Sequence, residues 1–403
     1  MTRHNLFPLI FMIVLSIMPV LFIHMPRILA WLPLLFGLIM SAWWVFGKKE
    51  ILTHSPKYFY CLAGVSLMAI ISVLWSIEPM GAYKQAIKIT AILLFSVPLF
   101  NLMRSIDIKM LKPFLWLFPA GVTLSAMLAS AELALDMPIY RATHILPENF
   151  DLSSAVMNRG VISTTLSFFI AILLINNMDS AKKVKYALLA IVSINVLIML
   201  YLTQCQSAQV AFVVGLSMIF LFPYRFKLSY KILASLIALT MVLTPLVVQI
   251  LFDVFIGNAQ EIPWIKDAYV GNRVEIWDFV MRYALNNPIY GYGIEATRFI
   301  KEFEHDYIYH KGSTILHPHN FSIQIWIEFG IIGILLAAAL IAFVIKQISK
   351  IAPPDRRIVI ALLIATLAVS STGYGMWQSW WIGEFMLLIS LCALIAPKKY
   401  NQP

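Results

Sequence analysis

The amino-acid sequence predicts an all-α integral membrane protein with about twelve transmembrane helices. Its 403 residues are 61% hydrophobic and only 12% charged, and the mean hydropathy is +0.83. This composition lies far outside that of soluble globular domains. Apolar stretches of about 17 to 25 residues recur along nearly the whole chain, and each could cross a hydrocarbon core of about 30 Å as a helix.

Charged breaks separate the apolar runs and set the bounds of the predicted helices. In chain order the runs cover residues 6–23, 28–46, 58–75, 86–103, 113–134, 160–177, 184–202, 206–222, 230–251, 319–345, 358–374 and 379–396. The first run follows Arg3 and has the pattern of a secretory signal peptide with cleavage near Ala30. A second spanning run follows at once, so we expect the first run to be retained as a helix.

The distribution of Lys and Arg predicts the orientation of these helices. With the N-terminus in the cytoplasm, the loops on that side carry basic groups such as those at 182–185 and 356–357. The short loops on the other side carry few, as the positive-inside rule expects. We therefore predict a multi-pass protein of the bacterial inner membrane whose two longest polar segments, 135–158 and 252–318, face the periplasm.

This topology divides the chain into three parts. Residues 1–251 hold helices one to nine, residues 252–318 form a periplasmic loop region between helices nine and ten, and residues 319–403 hold helices ten to twelve and a cytoplasmic tail. The net charge of +10 does not indicate nucleic acid, because the basic residues are spread in small groups between apolar runs. No ATP reaches the periplasm, so chemistry there needs a substrate that is already activated, such as a lipid-linked sugar diphosphate.

The long loop contains a predicted amphipathic helix and a candidate phosphate-binding arginine. From Gly271 the loop reads GNRVEIWDFVMRYALNNPIYGYGIEATRF, and its apolar positions follow helical spacing. Asn272 can cap the helix, and the Pro-rich and Gly-rich stretch after it supplies a turn. Arg273 in the first turn is suited to bidentate capture of phosphate oxygens. The alternative is that Arg273 is an ordinary solvated charge.

A second polar motif stands directly before the tenth helix. The sequence HPHNFSIQIWIEFG places His317, Pro318, His319 and Asn320 at the mouth of this helix. Histidine readily accepts a proton near neutral pH, as a hydroxyl that attacks an anomeric carbon requires. A polar helix entry that only caps the span is the alternative, but two imidazoles that flank a proline beside Asn320 favour function.

Other polar and aromatic residues lie at the same predicted side of the membrane. Arg159 opens the sixth helix, where an ionisable residue is either functional or extends to the interface. Gln204 and Gln206 lie in the short turn TQCQSAQ and could bind sugar hydroxyls or neighbouring helices. Three tryptophans of the last outer loop are expected to form an aromatic belt, with stacking on a sugar ring as the alternative; they are Trp377, Trp380 and Trp381.

The sequence predicts no metal and no cofactor. A cluster of carboxylates and imidazoles could in principle hold a divalent ion, but its spacing matches no zinc or calcium motif. Its members are Glu302, Glu304, His305, Asp306 and His310. The three cysteines, Cys61, Cys205 and Cys392, show no CxxC spacing and are interpreted as packing residues.

Taken together, the helices, the long loop and three motifs resemble the O-antigen ligase family of lipopolysaccharide assembly. The motifs are NRVEIWDFV, NPIYGYGIE and HPHNFSIQIWIEFG, which occupy residues 271–333. O-antigen polymerases and protein O-oligosaccharyltransferases share this superfamily, so the resemblance defines the donor class better than the acceptor.

The resemblance implies an inverting, metal-independent glycosyltransferase. Its donor would be an undecaprenyl-diphosphate-linked glycan in the membrane lipid, and its acceptor a sugar hydroxyl of the lipid A core. His319 resembles the family's catalytic base, with His317 beside it, and Arg273 corresponds to the arginine that grips the donor diphosphate. Which of the two histidines is the base stays open.

The chain departs from the family pattern at one position. The family often places a second arginine after a Thr-Gln pair at the start of the eighth helix, where this chain reads Thr203, Gln204, Cys205 and Gln206. Gln206 cannot supply the charge, and we expect Arg159 to compensate for it.

Two other functions remain as alternatives. The first lies within the superfamily: an O-antigen or exopolysaccharide polymerase, or an oligosaccharyltransferase that acts on protein. The second is a lipid or glycan transporter without covalent chemistry. Transporters tend to place ionisable residues at mid-membrane and to show repeated halves; here no repeat is visible and the polar residues gather at one side.

Overall fold

The computed structural model describes residues 3–46, 55–147, 150–258, 270–300 and 315–396, and every regular element in these ranges is helical. The first ten helices are α1 (Arg3–His24), α2 (Ile28–Phe46), α3 (Pro56–Ile71), α4 (Pro79–Ser105), α5 (Ile108–Leu111), α6 (Leu117–Ala134), α7 (Pro138–Thr143), α8 (Asn158–Asn177), α9 (Lys182–Leu202) and α10 (Gln206–Leu221). The others are α11 (Lys227–Val242), α12 (Thr244–Asn258), α13 (Val270–Ala284), α14 (Phe321–Ile348), α15 (Pro353–Thr372) and α16 (Ser379–Cys392).

The all-α membrane class is confirmed. Each predicted apolar run coincides with one helix or with a pair of consecutive helices. In the described residues six helices are long and apolar enough to cross a membrane, and the bent pair α11 and α12 raises this number to seven. Four shorter apolar helices accompany them. The count of twelve spans and the orientation in the membrane therefore stay predictions.

Helix α8 forms the centre of the bundle. Nearly every residue from Gly160 to Ile175 is buried, and the helix packs against α1, α6, α9, α10, α15 and α16. Gly160 allows a close approach to α1, because a Cβ at this position would lie 2.6 Å from the Cα of Ile23. The packing fixes the start of α8, where Arg159 lies.

The ninth predicted helix corresponds to two consecutive helices rather than one. Helices α11 and α12 are bent by 66°, and α12 continues to Asn258, past the predicted loop start at 252. Pro245 has no N–H to donate to the carbonyl of Met241. The Trp326 indole donates to that carbonyl instead, at 2.9 Å. The bend is thus stabilised by a side chain of α14.

Helix α14 is interrupted at Gly330, whose φ of 60° and ψ of −156° lie outside the helical region. The segment 288–293 inserts at this break. The N–H groups of Ile331 and Ile332 donate to the carbonyls of Pro288 and Ile289, at 2.8 and 3.3 Å. In return the carbonyls of residues 327 and 328 accept the N–H groups of residues 292 and 293, both at 2.9 Å. The NPIYGYGI and IEFG motifs are therefore partners in one structural joint.

The predicted amphipathic helix is present as α13, and it packs against α12 and α14. Val280, Met281 and Ala284 are buried, which accounts for the apolar stripe. Asn272 lies inside the first turn of this helix rather than at its N-cap, so its predicted capping role is wrong. The joint follows directly and ties the segment after α13 to the break in α14 at Gly330.

Candidate functional site

The His-Pro-His-Asn turn is built by the entry to α14. Asn320 has an extended backbone, and its side-chain oxygen accepts the N–H groups of Ser322 and Ile323 at 2.9 and 3.2 Å. Asn320 is therefore the N-cap of α14. His319 has a φ of +55°, a left-handed conformation that costs a non-glycine residue about 1 to 3 kcal/mol. The surrounding contacts hold His319 in this strained position.

The imidazole of His319 is fixed by a hydrogen bond between its Nδ1 and the carbonyl oxygen of Gly373. A carbonyl oxygen only accepts, so Nδ1 must carry the proton and Nε2 is left with its lone pair. Nε2 has no hydrogen-bond partner in the part of the chain that the structure describes. Burial lowers the pKa of His319 most, the hydrogen bond to Gly373 raises it, and the charge of Arg273 lowers it.

His317 lies beside His319, with ring centroids 4.2 Å apart and the rings tilted by 59°, but its surroundings differ. The side-chain Nε2 of Gln378 lies 3.2 Å from the Nε2 of His317 and donates to it. The backbone at Gly375 also lies close to the His317 ring, since a Cβ on Gly375 would lie 2.8 Å from that ring. Burial, His319 and Arg298 lower the pKa of His317 to about 3. His317 is therefore neutral at physiological pH, with its basic nitrogen occupied.

Arg273 lies in the first turn of α13 and interacts with His319. Trp277 anchors this helix to the histidine turn, because its Nε1 donates to the carbonyl oxygen of Pro318 at 2.7 Å. The guanidinium interacts electrostatically with His319 and with Cys205. Burial lowers the pKa of Arg273, but a guanidinium keeps its proton at any physiological pH. A fixed positive charge thus stands beside His319.

Arg159 approaches from the start of α8. Its guanidinium carbon lies 5.9 Å from the ring centroid of Tyr374 and 5.8 Å from that of Trp380. Tyr374 follows Gly373 directly and also interacts electrostatically with Cys205. Cation–π and electrostatic interactions therefore link Arg159, Tyr374, Cys205, Arg273 and His319 into one group, which we call the arginine–histidine cluster.

Cys205 lies in the Thr-Gln-Cys-Gln turn at the start of α10, which carries no arginine. Its side chain is buried, and its Sγ lies 3.9 Å from the carbonyl oxygen of Asn158, next to Arg159. Burial raises the pKa of Cys205 to about 11, so the thiol is uncharged. The only charges in this cluster, within the described ranges, come from the two arginines.

The predicted glutamines lie at the edge of this cluster. Gln206 is the first residue of α10 and is partly buried. Gln204 is exposed and accepts a hydrogen bond from the Ser154 hydroxyl at 3.3 Å. Gln209 supports the turn by donating to the carbonyl of Leu200 at 2.9 Å.

The tryptophans of the last loop are buried in the protein, so the predicted aromatic belt is wrong. Trp377, Trp380 and Trp381 are all less than a tenth exposed. The indole of Trp377 donates to the carboxylate of Glu328, and that of Trp380 donates to Gln378 at 2.7 Å. The N–H groups of Trp377 and Trp380 thus find partners inside the bundle, whereas Trp381 Nε1 has none among the described residues.

Three residues of the site were not predicted from the sequence: Gly373, Tyr374 and Gln378. They belong to the loop 373–378 between α15 and α16, which contacts both histidines. The available signal was the alternation of glycine with polar and aromatic residues in TGYGMWQ.

The carboxylate and imidazole cluster at 302–310 lies outside the described residues.

An apolar groove of about 350 Å³ opens beside the histidine turn. It runs between α11, α12, α14 and α15, and Trp277, Asn320 and Ser322 lie at its polar end. The groove exists because the bend between α11 and α12 turns α12 away from the axis of α11. A long apolar chain could lie in it with a polar head at the cluster.

These elements allow a defined chemistry. An imidazole with a free Nε2 can accept a proton, and two guanidinium groups can stabilise a growing negative charge on phosphate oxygens. The wall between them is aromatic and apolar. The arrangement suits the transfer of a group away from a phosphate-containing carrier.

Comparison with known proteins gives a consistent result. The sequence profile of the family described as "O-Antigen ligase" matches residues 188–338, which include Cys205, Arg273 and His319. A Rickettsia conorii protein with the provisional name polysaccharide ligase is 26% identical over 64% of this chain and 62% of its own length. A Rickettsia felis protein with the same provisional name is 26% identical over 81% of this chain and 77% of its own length.

The similarity does not extend over the whole of every relative. The match to the Rickettsia typhi polysaccharide ligase, also a provisional name, spans 59% of that protein, so the chain covers less than two thirds of two of these three relatives. The profile match, the relatives and the helical membrane fold nevertheless agree with one another. Residues 188–338 of this chain are thus similar to the O-antigen ligase family.

Proposed function

We propose that this protein transfers an undecaprenyl-diphosphate-linked O-antigen glycan to a sugar hydroxyl of the lipid A core, at the periplasmic face of the inner membrane. The observation that carries the proposal is the placement of His319. Its Nδ1 is bonded to Gly373, its Nε2 is left free to accept a proton, and the charge of Arg273 stands beside it.

In this proposal His319 is the general base. The acceptor hydroxyl attacks the anomeric carbon of the donor, the bond between that carbon and the diphosphate oxygen breaks, and His319 Nε2 takes the hydroxyl proton. The new glycosidic bond has inverted configuration, and undecaprenyl diphosphate leaves with the electron pair. His317 supports the reaction as a neutral neighbour, because its Nε2 already accepts from Gln378.

Arg273 and Arg159 are proposed to hold the donor diphosphate. Negative charge grows on the leaving group during the reaction, and preorganised cations stabilise it most at that moment. Arg159 is proposed to supply the second positive charge that the turn 203–206 lacks, since Arg159 and Cys205 of that turn both interact with Tyr374. Their charges make a metal ion unnecessary for neutralising the diphosphate.

The groove beside Trp277 is proposed to hold the isoprenoid chain next to the diphosphate. Its lining is apolar, and its polar end carries Asn320 next to the base. Asn320 retains its side-chain NH₂ group for the substrate, because only its oxygen caps α14. Gln204 and Gln206 at the opposite edge are proposed to contact glycan hydroxyls.

The test is a transfer assay with purified protein in the presence of chelator. The donor is an undecaprenyl-diphosphate-linked glycan, and two acceptors are supplied in parallel: lipid A core, and a second molecule of the lipid-linked repeat. Wild type is compared with His319→Ala and Arg273→Ala, and with Arg27→Gln as a control at an exposed loop position.

We expect wild type and Arg27→Gln to join glycan to lipid A core, and both site variants to lose this activity. Transfer to the lipid-linked repeat alone would reject the ligase in favour of a polymerase. Glycan that never leaves its carrier with either acceptor would contradict transferase chemistry and favour a transporter.

A further inference from the structure

The buried carboxyl group of Glu328 is not explained by the proposed chemistry. It lies two turns into α14 in an otherwise apolar stretch and is fully buried. An ionisable side chain inside a membrane helix is a candidate for function, because its burial is expensive.

Glu328 accepts hydrogen bonds from three different parts of the chain. Gln324 Nε2 donates to its Oε1 at 3.0 Å, the Trp377 indole donates to its Oε2, and the backbone of Glu295 donates as well. All three groups are donors, so both oxygens of the Glu328 carboxyl group act as acceptors. An amide of the same size would present its own NH₂ to a donor.

These bonds bind the loop 373–378 to α14. Trp377 is in the middle of that loop, and the Oε1 of Gln324 accepts the backbone N–H of the neighbouring Met376 at 2.8 Å. Gln324 therefore links Met376 to Glu328 through one side chain. On its other side Trp377 is held by Gln85, whose Nε2 donates to its carbonyl oxygen at 2.7 Å.

The same loop carries both contacts that orient the histidines. Gly373 accepts from His319, and Gln378 donates to His317. Glu328 is thus connected to each imidazole through the loop, although it touches neither.

We propose that Glu328 is a positioning residue that holds the loop 373–378 so that His319 presents its Nε2 to the acceptor. The expected effect of Glu328 on kcat rests on the proposed function. The fixing of the loop 373–378 by Glu328 does not depend on that function. A carboxyl group at this place lets one residue fix the loop 373–378, the segment just after 288–293 and helix α14 together.

The matched control is Glu132, a second buried acidic side chain, which accepts two backbone hydrogen bonds. It accepts from the backbone N–H groups of Ile139 and Tyr140, both at 2.9 Å, and lies 3.2 Å from His24 Nε2. Glu132→Gln introduces the same donor conflict at the end of α6, outside the arginine–histidine cluster.

The experiment compares Glu328→Gln, Trp377→Phe and Glu132→Gln with wild type by two measurements on the purified full chain. Hydrogen–deuterium exchange reports the protection of the 373–378 amides without any substrate. Steady-state transfer reports kcat, the donor KM and the pH dependence of kcat/KM.

We expect Glu328→Gln and Trp377→Phe to speed exchange in 373–378, to lower kcat by about 10- to 100-fold and to leave the donor KM nearly unchanged. Glu132→Gln should change none of these. Unchanged exchange in Glu328→Gln overturns the inference. Faster exchange in Glu328→Gln with an unchanged kcat would overturn the positioning role and leave Glu328 a structural residue. If the wild type transfers no glycan, the proposed function is rejected, but faster exchange in Glu328→Gln would still show that Glu328 holds the loop 373–378.

Discussion

The Nδ1 atom of His319 is bonded to the carbonyl oxygen of Gly373, which lies 54 positions further along the chain. This bond selects the tautomer of His319 and aims the ring. His317, only two positions away, has its Nε2 occupied by Gln378 instead. The two histidines, which are equivalent in the sequence motif, are therefore not equivalent in the structure.

The first prediction separates these histidines. His319→Gln should lower kcat for transfer by about 10²- to 10⁴-fold, the contribution typical of a general base. His317→Gln should lower it much less, because a glutamine can still accept from Gln378. His144→Gln, at an exposed position, serves as the control. A larger loss in His317→Gln than in His319→Gln would reverse the assignment.

The second prediction concerns pH. His319 must be neutral to accept a proton, and its pKa in the free protein is lowered from the ordinary value of 6.5. The acid limb of kcat/KM, which reports the free enzyme, should therefore lie below pH 6.5. Arg273→Gln removes a charge that lowers this pKa, so the limb should move to higher pH. Arg273→Lys keeps the charge and should leave the limb in place; equal limbs in both variants would contradict His319 as the titrating base.

The third prediction concerns Arg159. Arg159→Gln should weaken donor binding and raise the donor KM, because the cluster loses one of its two positive charges. Arg159→Lys should restore part of the activity, since it keeps the charge but not the planar stack on Tyr374 and Trp380. Transfer kinetics measure both, with Arg27→Gln as the reference. A donor KM in Arg159→Gln equal to wild type would exclude Arg159 from the diphosphate site.

The fourth prediction tests the bend between α11 and α12. Trp326→Phe leaves the Met241 carbonyl without its indole donor and should lower the free energy of unfolding by about 1 to 3 kcal/mol. In a Pro245→Ala background the loss should be smaller, because the new N–H at 245 can serve that carbonyl. Unfolding of the four proteins in mixed micelles gives the coupling energy. Additive losses would show that an N–H at position 245 does not replace the Trp326 indole as donor to the Met241 carbonyl.

The fifth prediction tests the joint at Gly330. A Cβ there would lie 2.5 Å from the backbone of Ile289, and the φ of +60° disfavours any side chain. Gly330→Ala should therefore lower the midpoint of thermal unfolding and abolish transfer. Gly64→Ala is the control, since a Cβ at Gly64 meets nothing within 4 Å. Similar unfolding midpoints for the two variants would mean that the segment 288–293 adapts to the substitution.

The sequence was sufficient for the helices because their signal is local. Apolar runs and charged breaks depend on neighbouring residues only, and the start of α8 and the entry to α14 were placed to within about two residues. The bend at Pro245 was missed because its stability depends on Trp326, a distant residue. The belt of tryptophans was missed for a similar reason, since burial of Trp377 depends on a carboxylate in another helix.

The residues of the site were predicted unevenly. His319 and Arg273 were proposed from the sequence because imidazole and guanidinium groups are informative by themselves. Gly373 and Gln378 act through a backbone carbonyl and an amide, and the glycine and aromatic pattern of TGYGMWQ is only a weak signal for such roles. Glu328 could have been found from its charge within an apolar run.

The arginine–histidine cluster contains residues both inside and outside the segment 188–338, which matches the family profile. Arg273 and His319 lie within residues 188–338, whereas Arg159 and the loop 373–378 lie outside it. A chimera of two relatives with breakpoints at residues 188 and 338 would therefore pair His319 from one parent with the Gly373 carbonyl from the other. Chimeras designed to change glycan specificity should carry the start of α8 and the loop 373–378 together with the matched segment.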